Sequence, residues 1–89
     1  MPDKPYYCYV LWSEPGQRYY IGVTEDVQKR LEDHNNGISR WTKRYAGTWQ
    51  LAWHREFPTL GDARRFENHL KRQKGGTGFF ALTGLQHPQ

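Results

Sequence analysis

Apolar residues, many of them aromatic, concentrate in three segments of the chain, and each segment predicts a β-strand. Residues 6–13 and 18–23 combine aromatic and aliphatic side chains around a Pro-Gly turn, which is typical of a β-hairpin. Gly22 weakens the second strand and indicates either a bulge or a close approach of another group to the backbone. Residues 49–57 alternate most clearly and predict a third strand with one apolar face. That face comprises Trp49, Leu51, Trp53 and Phe57.

Two further segments predict α-helices. Thr24 is a candidate N-cap followed by two acids, which predicts a first helix that runs to about Asn36. The inward face of this helix comprises Val27, Arg30, Leu31 and His34. Thr59 is a second candidate cap with an acid three residues later, which predicts a helix from about Leu60 to Lys74. The apolar stripe of that helix comprises Ala63, Phe66 and Leu70.

The remaining segments are a basic stretch and a C-terminal tail. Residues 38–48 contain basic and aromatic side chains but no acid, and the spacing of Trp41 and Tyr45 favours a short helix. Trp41 is a candidate for stacking on a nucleic-acid base, although burial in the core is the preferred interpretation. The tail from residue 77 is expected to pack through its apolar residues before it frays at residues 86–89. Those apolar residues are Phe79, Phe80, Leu82 and Leu85.

The order of the elements predicts an α/β (α+β) fold in a single domain of residues 1–89, with its core at about residues 6–85. A chain of 89 residues suffices for one hydrophobic core and little more. No apolar run is long enough to cross a membrane, and the N-terminus does not resemble a signal peptide. A single cysteine excludes a disulfide framework. These features favour a small cytoplasmic protein with no membrane partner.

Charge is the feature that points towards a partner. Thirteen Lys and Arg residues against nine Asp and Glu residues give a net charge of +4. This excess favours binding to the phosphate backbone of a nucleic acid. The basic residues concentrate in residues 40–45 and 64–74, on either side of the third strand. From these segments we predict DNA contacts by Arg40, Lys43, Arg44, Arg64, Lys71 and Lys74.

Three groups of side chains have the composition of a chemical site. Glu67 lies at the edge of the apolar stripe of a basic helix, where it either pairs with Lys71 one turn later or holds a hard cation such as Mg²⁺. Arg30 and His34 lie one turn apart on an inward helix face, where arginine either snorkels at the rim of the core or binds a phosphate. The hairpin tyrosines are either half-buried phenols of the sheet or proton-transfer groups near a cation.

The order of these residues resembles the GIY-YIG nuclease superfamily. Tyr9 ends a Tyr-Cys-Tyr triplet in the first strand, and Tyr20 begins a Tyr-Ile-Gly triplet in the second. A helix with Arg30 and His34 and a later helix with Glu67 follow. The resemblance covers most of the chain and is strongest to small standalone bacterial members, which are similar to the N-terminal nuclease domain of the UvrC repair protein. It implies a small three-stranded antiparallel sheet flanked by helices.

The resemblance also implies an activity and a role for each residue. It implies a DNA endonuclease domain that hydrolyses phosphodiester bonds with a divalent metal, in DNA repair or recombination. By resemblance, Tyr9 and Tyr20 are the motif tyrosines, Arg30 contacts the phosphate, His34 assists at the site, and Glu67 holds a single Mg²⁺ or Mn²⁺ ion. Which tyrosine acts as the general base stays open. The first triplet lacks Gly-Ile, and the chain has no asparagine beyond its second helix, where some members carry one.

A second hypothesis is a nucleic-acid-binding module that keeps the fold with little or no catalytic activity. Metal-dependent cleavage of DNA distinguishes the two hypotheses. Because 89 residues leave no room for an attached recognition domain, specificity would come from the shape of the DNA, from a protein partner or from a homodimer.

Overall fold

A three-stranded sheet forms the centre of the fold, in a computed structural model that describes residues 4–73 and 76–85. The strands are β1 (Tyr6–Ser13), β2 (Arg18–Thr24) and β3 (Trp49–Phe57). They are antiparallel in the order β2-β1-β3, so β1 is central and β2 lies at an edge. The predicted hairpin and antiparallel sheet, and with them the α+β fold class, are confirmed.

Helices pack on both faces of the sheet. In the described residues they are α1 (Val27–Asn35), a short 3-10 helix (Lys43–Tyr45), α2 (Leu60–Arg72) and α3 (Thr77–Thr83). α2 begins at its predicted cap, because the Thr59 hydroxyl accepts the backbone N–H of Asp62. It ends at Arg72, and Lys74 lies outside the described residues. Across those residues, every helix is too short or too polar to cross a membrane.

The first helix begins later than the sequence predicts. Asp26, not Thr24, is the N-cap of α1, and its carboxylate accepts the backbone N–H of Lys29 at 3.0 Å. Thr24 is the last residue of β2, where it pairs with Tyr7. Because Thr24 is held in the sheet, the next residue with a capping side chain starts the helix. The Thr24 hydroxyl accepts the N–H of Asp26 and braces the junction.

Each face of the sheet carries its own apolar cluster. Tyr9 and Leu11 of β1 point to the side covered by α1 and form a cluster with Trp49, against which Val27 and Leu31 pack. The neighbouring residues of β1 point to the other side, covered by α2 and α3. The buried residues of that second cluster are Cys8, Val10, Ile21, Leu70 and Phe79. Both faces of this small sheet are therefore covered by helices.

The prediction that β3 has one continuous apolar face is wrong. Leu51 pairs with Leu11 and Trp53 pairs with Val10, so Ala52 is an extra residue in β3. This β-bulge changes the alternation, because two successive residues of β3 occupy the space opposite one step of β1. Residues 49 and 51 consequently pack in the cluster under α1. Ala52, Trp53 and Phe57 pack in the cluster under α2 and α3.

The tail forms α3, for which the sequence predicted packing without a defined element. Phe79 is fully buried in the cluster shared with α2, and Phe80 and Leu85 pack against that cluster. Leu82 is 37% exposed, so its predicted burial is wrong. A seven-residue helix has two turns, and only one side of them reaches the cluster. The predicted fraying at residues 86–89 lies outside the described residues.

Candidate active site

Tyr9 and His34 form a buried pair between the central strand and α1. Tyr9 is 1% exposed and His34 is fully buried. The phenol oxygen of Tyr9 lies 2.9 Å from Nε2 of His34, within hydrogen-bond distance. The other ring nitrogen of His34, Nδ1, lies 2.6 Å from the hydroxyl oxygen of Thr42. The imidazole therefore has a hydroxyl partner on each side.

Gly22 of β2 provides the space for the Tyr9 ring. The two residues are paired across the β1–β2 ladder. A Cβ atom on residue 22 would lie 2.5 Å from the phenol oxygen and 2.6 Å from the adjacent ring carbon. The sequence-based expectation of a close approach at this glycine is confirmed. The Tyr9 ring thus lies over the backbone of the edge strand. In this position its hydroxyl reaches His34 of α1.

Tyr20 completes an aromatic group around His34. Its ring centroid lies 4.7 Å from that of His34 and 6.3 Å from that of Tyr9. Unlike Tyr9, Tyr20 is only partly buried. The structure therefore brings both predicted tyrosines to the same histidine, one inside the core and one at the surface of the site.

Arg30 lies one turn before His34 on α1 and reaches the same place. Its side chain is 33% exposed and pairs with Asp33 at 3.6 Å. Its guanidinium lowers the pKa of Tyr9 by its charge and by a hydrogen bond. Arg30 thus lies near Tyr9, pairs with Asp33 and stays partly exposed, which fits a group that binds an incoming anion.

The environment keeps Tyr9 and His34 in their neutral forms near pH 7. Burial is the largest cause that raises the pKa of Tyr9 above its usual value; Tyr20 and Glu67 also raise it, against the effect of Arg30. Burial also lowers the pKa of His34 to about 4, assisted by the charge of Arg30 and opposed by Asp33. A neutral imidazole retains a lone pair on one ring nitrogen and can accept a proton there.

Glu67 lies on α2 and is 8% exposed. One of its carboxylate oxygens pairs with Nζ of Lys71 at 3.0 Å, so the ion pair expected as one of the two interpretations is present. The Glu67 charge raises the pKa values of Tyr9 and Cys8, although these neighbours point to opposite faces of β1. Burial is the main cause that raises the pKa of Cys8, to about 12, and this thiol is inert core.

An open groove of about 330 Å³ runs round the edge strand beside these residues. Tyr20 and Trp49 line it from the α1 side, and Lys71 lines it from α2. The remaining lining residues are Arg18, Tyr19 and Trp41. The groove therefore connects one motif tyrosine with the lysine that pairs with Glu67, and its charged lining is basic.

The predicted DNA-contacting residues are distributed unevenly around this groove. Among them, Lys71 lines the groove, whereas Arg64 is exposed on α2 away from its lining. The others in the described residues, Arg40, Lys43 and Arg44, are exposed in the segment that carries Trp41. The preferred burial of Trp41 is wrong, since its side chain is 74% exposed under the guanidinium of Arg40. Trp49 takes the core position instead, and its indole N–H donates to the Thr42 carbonyl.

Sequence reasoning missed Thr42. It is 1% exposed, in a segment whose other residues include exposed Arg40, Trp41 and Lys43. Those neighbours predict a solvated basic loop, so the sequence carries no local signal for a buried hydroxyl. Its contact with His34 arises only when the loop folds back on α1.

The donor set allows only certain metal ions. Within residues 4–73 and 76–85, no three His, Cys, Asp or Glu side chains cluster as metal ligands. Among the described residues that the sequence predicted for the site, Glu67 is the one with a carboxylate, and it is 8% exposed. One carboxylate, with water and substrate phosphate oxygens, is a usual ligand set for Mg²⁺, whereas a zinc site needs three or four protein ligands. Glu67 thus fits Mg²⁺ or Mn²⁺ held jointly with a phosphate.

Comparisons with known proteins show the family of the chain. The chain is 34% identical over 71 residues to a UPF0213 protein of Nitratidesulfovibrio vulgaris, which covers 80% of this chain and 64% of that protein. It is 36% identical over 73 residues to a UPF0213 protein of Lacticaseibacillus paracasei, with 82% and 81% covered. It is 35% identical over 90 residues to the structure-specific endonuclease subunit SLX1 of Meyerozyma guilliermondii, with 88% of this chain and 30% of SLX1 covered. A family model of the GIY-YIG catalytic domain matches residues 5–78, and the chain belongs to this family of endonuclease domains.

Proposed function

We propose that the chain is a divalent-metal-dependent DNA endonuclease domain that hydrolyses phosphodiester bonds. The observation that carries the proposal is the buried hydrogen bond between Tyr9 and His34, with the partly exposed Arg30 guanidinium beside it. This arrangement joins a proton acceptor to an anion-binding group, and phosphodiester hydrolysis needs both.

Tyr9 and His34 together provide the route for the proton of the attacking water. A free tyrosinate is unfavourable at Tyr9 because burial raises the pKa of its phenol. The phenol can instead take the water proton while it gives its own proton to Nε2 of His34, 2.9 Å away. Tyr20 is partly exposed and meets His34 by ring packing, with centroids 4.7 Å apart. Tyr9 is therefore the tyrosine that we assign to proton transfer, and Tyr20 lines the entry to it.

Arg30 provides the positive charge on the phosphate. The site is partly desolvated, so charge-assisted hydrogen bonds from a guanidinium are stronger there than in water. As negative charge accumulates on the phosphate oxygens in the transition state, those bonds strengthen. The same guanidinium lowers the pKa of Tyr9 and so favours the phenol as a proton carrier.

Glu67 would hold the metal ion. When bound, Mg²⁺ or Mn²⁺ supplies a Lewis acid on a phosphate oxygen. Lys71 pairs with Glu67, and this ion pair compensates the charge of a carboxylate that is only 8% exposed. The exposed Lys71 side chain can turn to a phosphate when a cation takes its place at Glu67.

The basic groove indicates the substrate. A phosphate backbone that follows the edge strand would meet Tyr20 and Arg18 before it reaches Lys71. Sequence-independent contacts of this kind recognise DNA by its shape and charge. A relative is named as a structure-specific endonuclease subunit, and we extend to this chain both an action on branched DNA in repair or recombination and a partner that supplies specificity. The single buried cysteine is consistent with a cytoplasmic setting.

One observation favours a second candidate function. The ion pair with Lys71 engages one oxygen of Glu67, the carboxylate assigned to the metal. If Lys71 keeps Mg²⁺ from binding at Glu67, the domain is a DNA-binding module without cleavage.

Cleavage assays on a panel of DNA substrates distinguish the two functions. Single-stranded, duplex, flapped and four-way DNA are incubated with Mg²⁺, with Mn²⁺ and with a chelator. Metal-dependent products that Tyr9→Phe abolishes support the nuclease. Salt-dependent binding to the same DNA with no product under any metal condition supports the binding module.

A further inference from the structure

Thr42 is the only described side chain with a hydrogen bond to Nδ1 of His34, at 2.6 Å. Thr42 is 1% exposed, and its hydroxyl has a second partner, the carbonyl oxygen of Ser39, at the longer distance of 3.5 Å. A carbonyl only accepts, so Ser39 offers the Thr42 hydroxyl proton an acceptor, although 3.5 Å is long for an O–H donor. The Thr42 oxygen is then left to accept a proton from Nδ1 of His34.

The other end of the chain of hydrogen bonds agrees with this direction. A neutral imidazole with its proton on Nδ1 has a lone pair on Nε2, which can accept the Tyr9 proton. Arg30, whose charge lowers the pKa of Tyr9, can only donate and so offers the phenol proton no acceptor. With the opposite tautomer, Nε2 would donate to Tyr9 as well, and the phenol proton would lose its buried acceptor.

We infer that Thr42 is a positioning residue that holds His34 in the Nδ1–H tautomer, so that Nε2 is free to take the proton of Tyr9. This inference rests on the proposed nuclease function for its consequence in catalysis. The inferred tautomer is argued from the partners of Tyr9 and Thr42 and does not require that function.

The proton transfer balances with this assignment. The water oxygen forms a bond to phosphorus while its proton passes to the Tyr9 oxygen, and the Tyr9 proton passes to Nε2. His34 becomes an imidazolium whose Nδ1–H still donates to Thr42. The bond from phosphorus to the leaving oxygen breaks, and that oxygen takes a proton from solvent. His34 returns its proton to solvent through Tyr9 after the product leaves.

The loop is built to hold Thr42 in this place. The backbone N–H of Thr42 donates to the Ser39 carbonyl at 3.2 Å, and its own carbonyl accepts the indole N–H of Trp49 at 3.0 Å. Trp49 is in turn held by Asn35 of α1. The Asn35 side-chain amide donates to the Trp49 carbonyl and accepts from the Trp49 backbone N–H. The helix that carries His34 and the loop that carries Thr42 are therefore braced by the same tryptophan.

Besides the Thr42 hydroxyl, the groups that act on the His34 imidazole come from β1, β2 and α1. Tyr9 contacts it from β1 and the ring of Tyr20 packs on it from β2. Arg30 and Asp33 act on it from α1, with opposite effects on its pKa. None of these replaces the acceptor at Nδ1, so removal of the Thr42 hydroxyl leaves that nitrogen without its described partner.

The decisive measurement is the histidine tautomer of the wild-type chain. Long-range ¹H–¹⁵N NMR on histidine-labelled protein near pH 7 distinguishes a protonated Nδ1 from a protonated Nε2. We expect His34 to carry its proton on Nδ1. A proton on Nε2 in the wild-type chain overturns the inference, whatever the activity.

Variants then test the consequence for cleavage. Thr42→Val keeps the shape and removes the hydroxyl, and we expect a loss of at least about 10-fold in kcat, since a positioned base contributes about 10²–10⁴-fold. Thr42→Ser restores the hydroxyl and should recover most of that loss, with Nδ1–H again the dominant form. Thr48→Val is the matched control, because Thr48 also has a bonded, partly buried hydroxyl but does not contact His34.

The outcomes separate this inference from the proposed function. A wild-type Nδ1–H signal in a chain that cuts no DNA supports the positioning role and contradicts the nuclease. Metal-dependent cleavage that is equal in folded Thr42→Val and wild-type protein contradicts the positioning role and leaves the nuclease intact. If Thr42→Val does not fold, the wild-type tautomer still decides the question.

Discussion

Replacing Gly22 with alanine tests the placement of Tyr9 most directly. The added methyl group would lie 2.5 Å from the phenol oxygen of Tyr9. Non-bonded heavy atoms settle at about 3.5 Å, so the ring or the edge strand must move by about 1 Å. The ring is 1% exposed and bonded to His34 at 2.9 Å, and it therefore has no free space to enter.

The expected magnitude follows from two opposing contributions. Overpacking of a core costs about 1–3 kcal/mol. In a strand, replacing glycine by alanine stabilises the folded state by about 0.5–1 kcal/mol, because the unfolded chain then loses less backbone entropy on folding. Mid-range values of the two contributions leave a loss of about 1 kcal/mol in the free energy of unfolding of the Gly22→Ala chain. A displacement of about 1 Å also disturbs the hydrogen bond to His34, and we expect a decrease of about 100-fold in the cleavage rate.

Urea denaturation and single-turnover cleavage measure the two effects separately. Gly61→Ala is the matched control, because a Cβ there would meet its nearest neighbour, the Arg65 side chain, at 3.7 Å. In α2 this change should leave stability equal or higher by up to about 1 kcal/mol, with unchanged cleavage. A Gly22→Ala chain as stable as the wild type would refute the placement of the ring. A destabilised chain that cleaves at the wild-type rate would refute the role of Tyr9 in the reaction.

The remaining predictions concern charge. Glu67→Gln should abolish metal-dependent cleavage and leave duplex binding within about 2-fold, because it removes the carboxylate at nearly constant volume. Arg30→Lys should lose most of the cleavage rate with little loss of stability, since lysine keeps the charge without the planar fork. Replacing Lys43 and Arg44 together by alanine should flatten the slope of log K against log salt by about 0.9 for each phosphate that these two side chains neutralise in the wild-type complex. Stability should fall as the pH is lowered from 6.5 towards 4, because the unfolded chain protonates His34 there and the folded chain, with its pKa of about 4, does not; His34→Gln should flatten this part of the profile.

Each of these predictions has an outcome that contradicts it. Wild-type cleavage by Glu67→Gln would leave Glu67 with only its structural ion pair. An Arg30→Lys chain that unfolds, with a fully active folded fraction, would assign Arg30 to packing. An unchanged salt slope after the double replacement would mean that Lys43 and Arg44 do not contact the DNA phosphates. An equal pH dependence in His34→Gln would mean that other groups cause the acid destabilisation.

The strands and the second helix could be predicted from the sequence because local signals decide them. The turn before β2 and the cap at Thr59 act within a few residues, and both are present as expected. The close approach at Gly22 was also visible, since a glycine inside a strand needs a reason. The prediction that the tyrosines, Arg30 and His34 share one site came from the resemblance to the GIY-YIG superfamily, not from a local signal.

The errors arise where a distant contact decides between equal local choices. Thr24 and Asp26 are both good caps, and pairing of Thr24 with β1 selects Asp26. The bulge at Ala52 leaves no trace in the pattern, because both faces of the sheet are buried and apolar residues suit either one. Trp41 is exposed and Trp49 is buried, and the hydrogen bond that holds the Trp49 indole depends on the folded loop rather than on local sequence.

The edge strand explains why one small sheet can assemble a site from both of its faces. An edge strand usually exposes unpaired backbone groups, a liability that other elements must cover. In this chain the groove follows that edge, with Tyr20 on the α1 side and Lys71 on the α2 side. The absence of a side chain at Gly22 lets Tyr9 lie over the same strand. A phosphate bound in this groove would therefore contact side chains from both faces of the sheet, which neither face could provide alone.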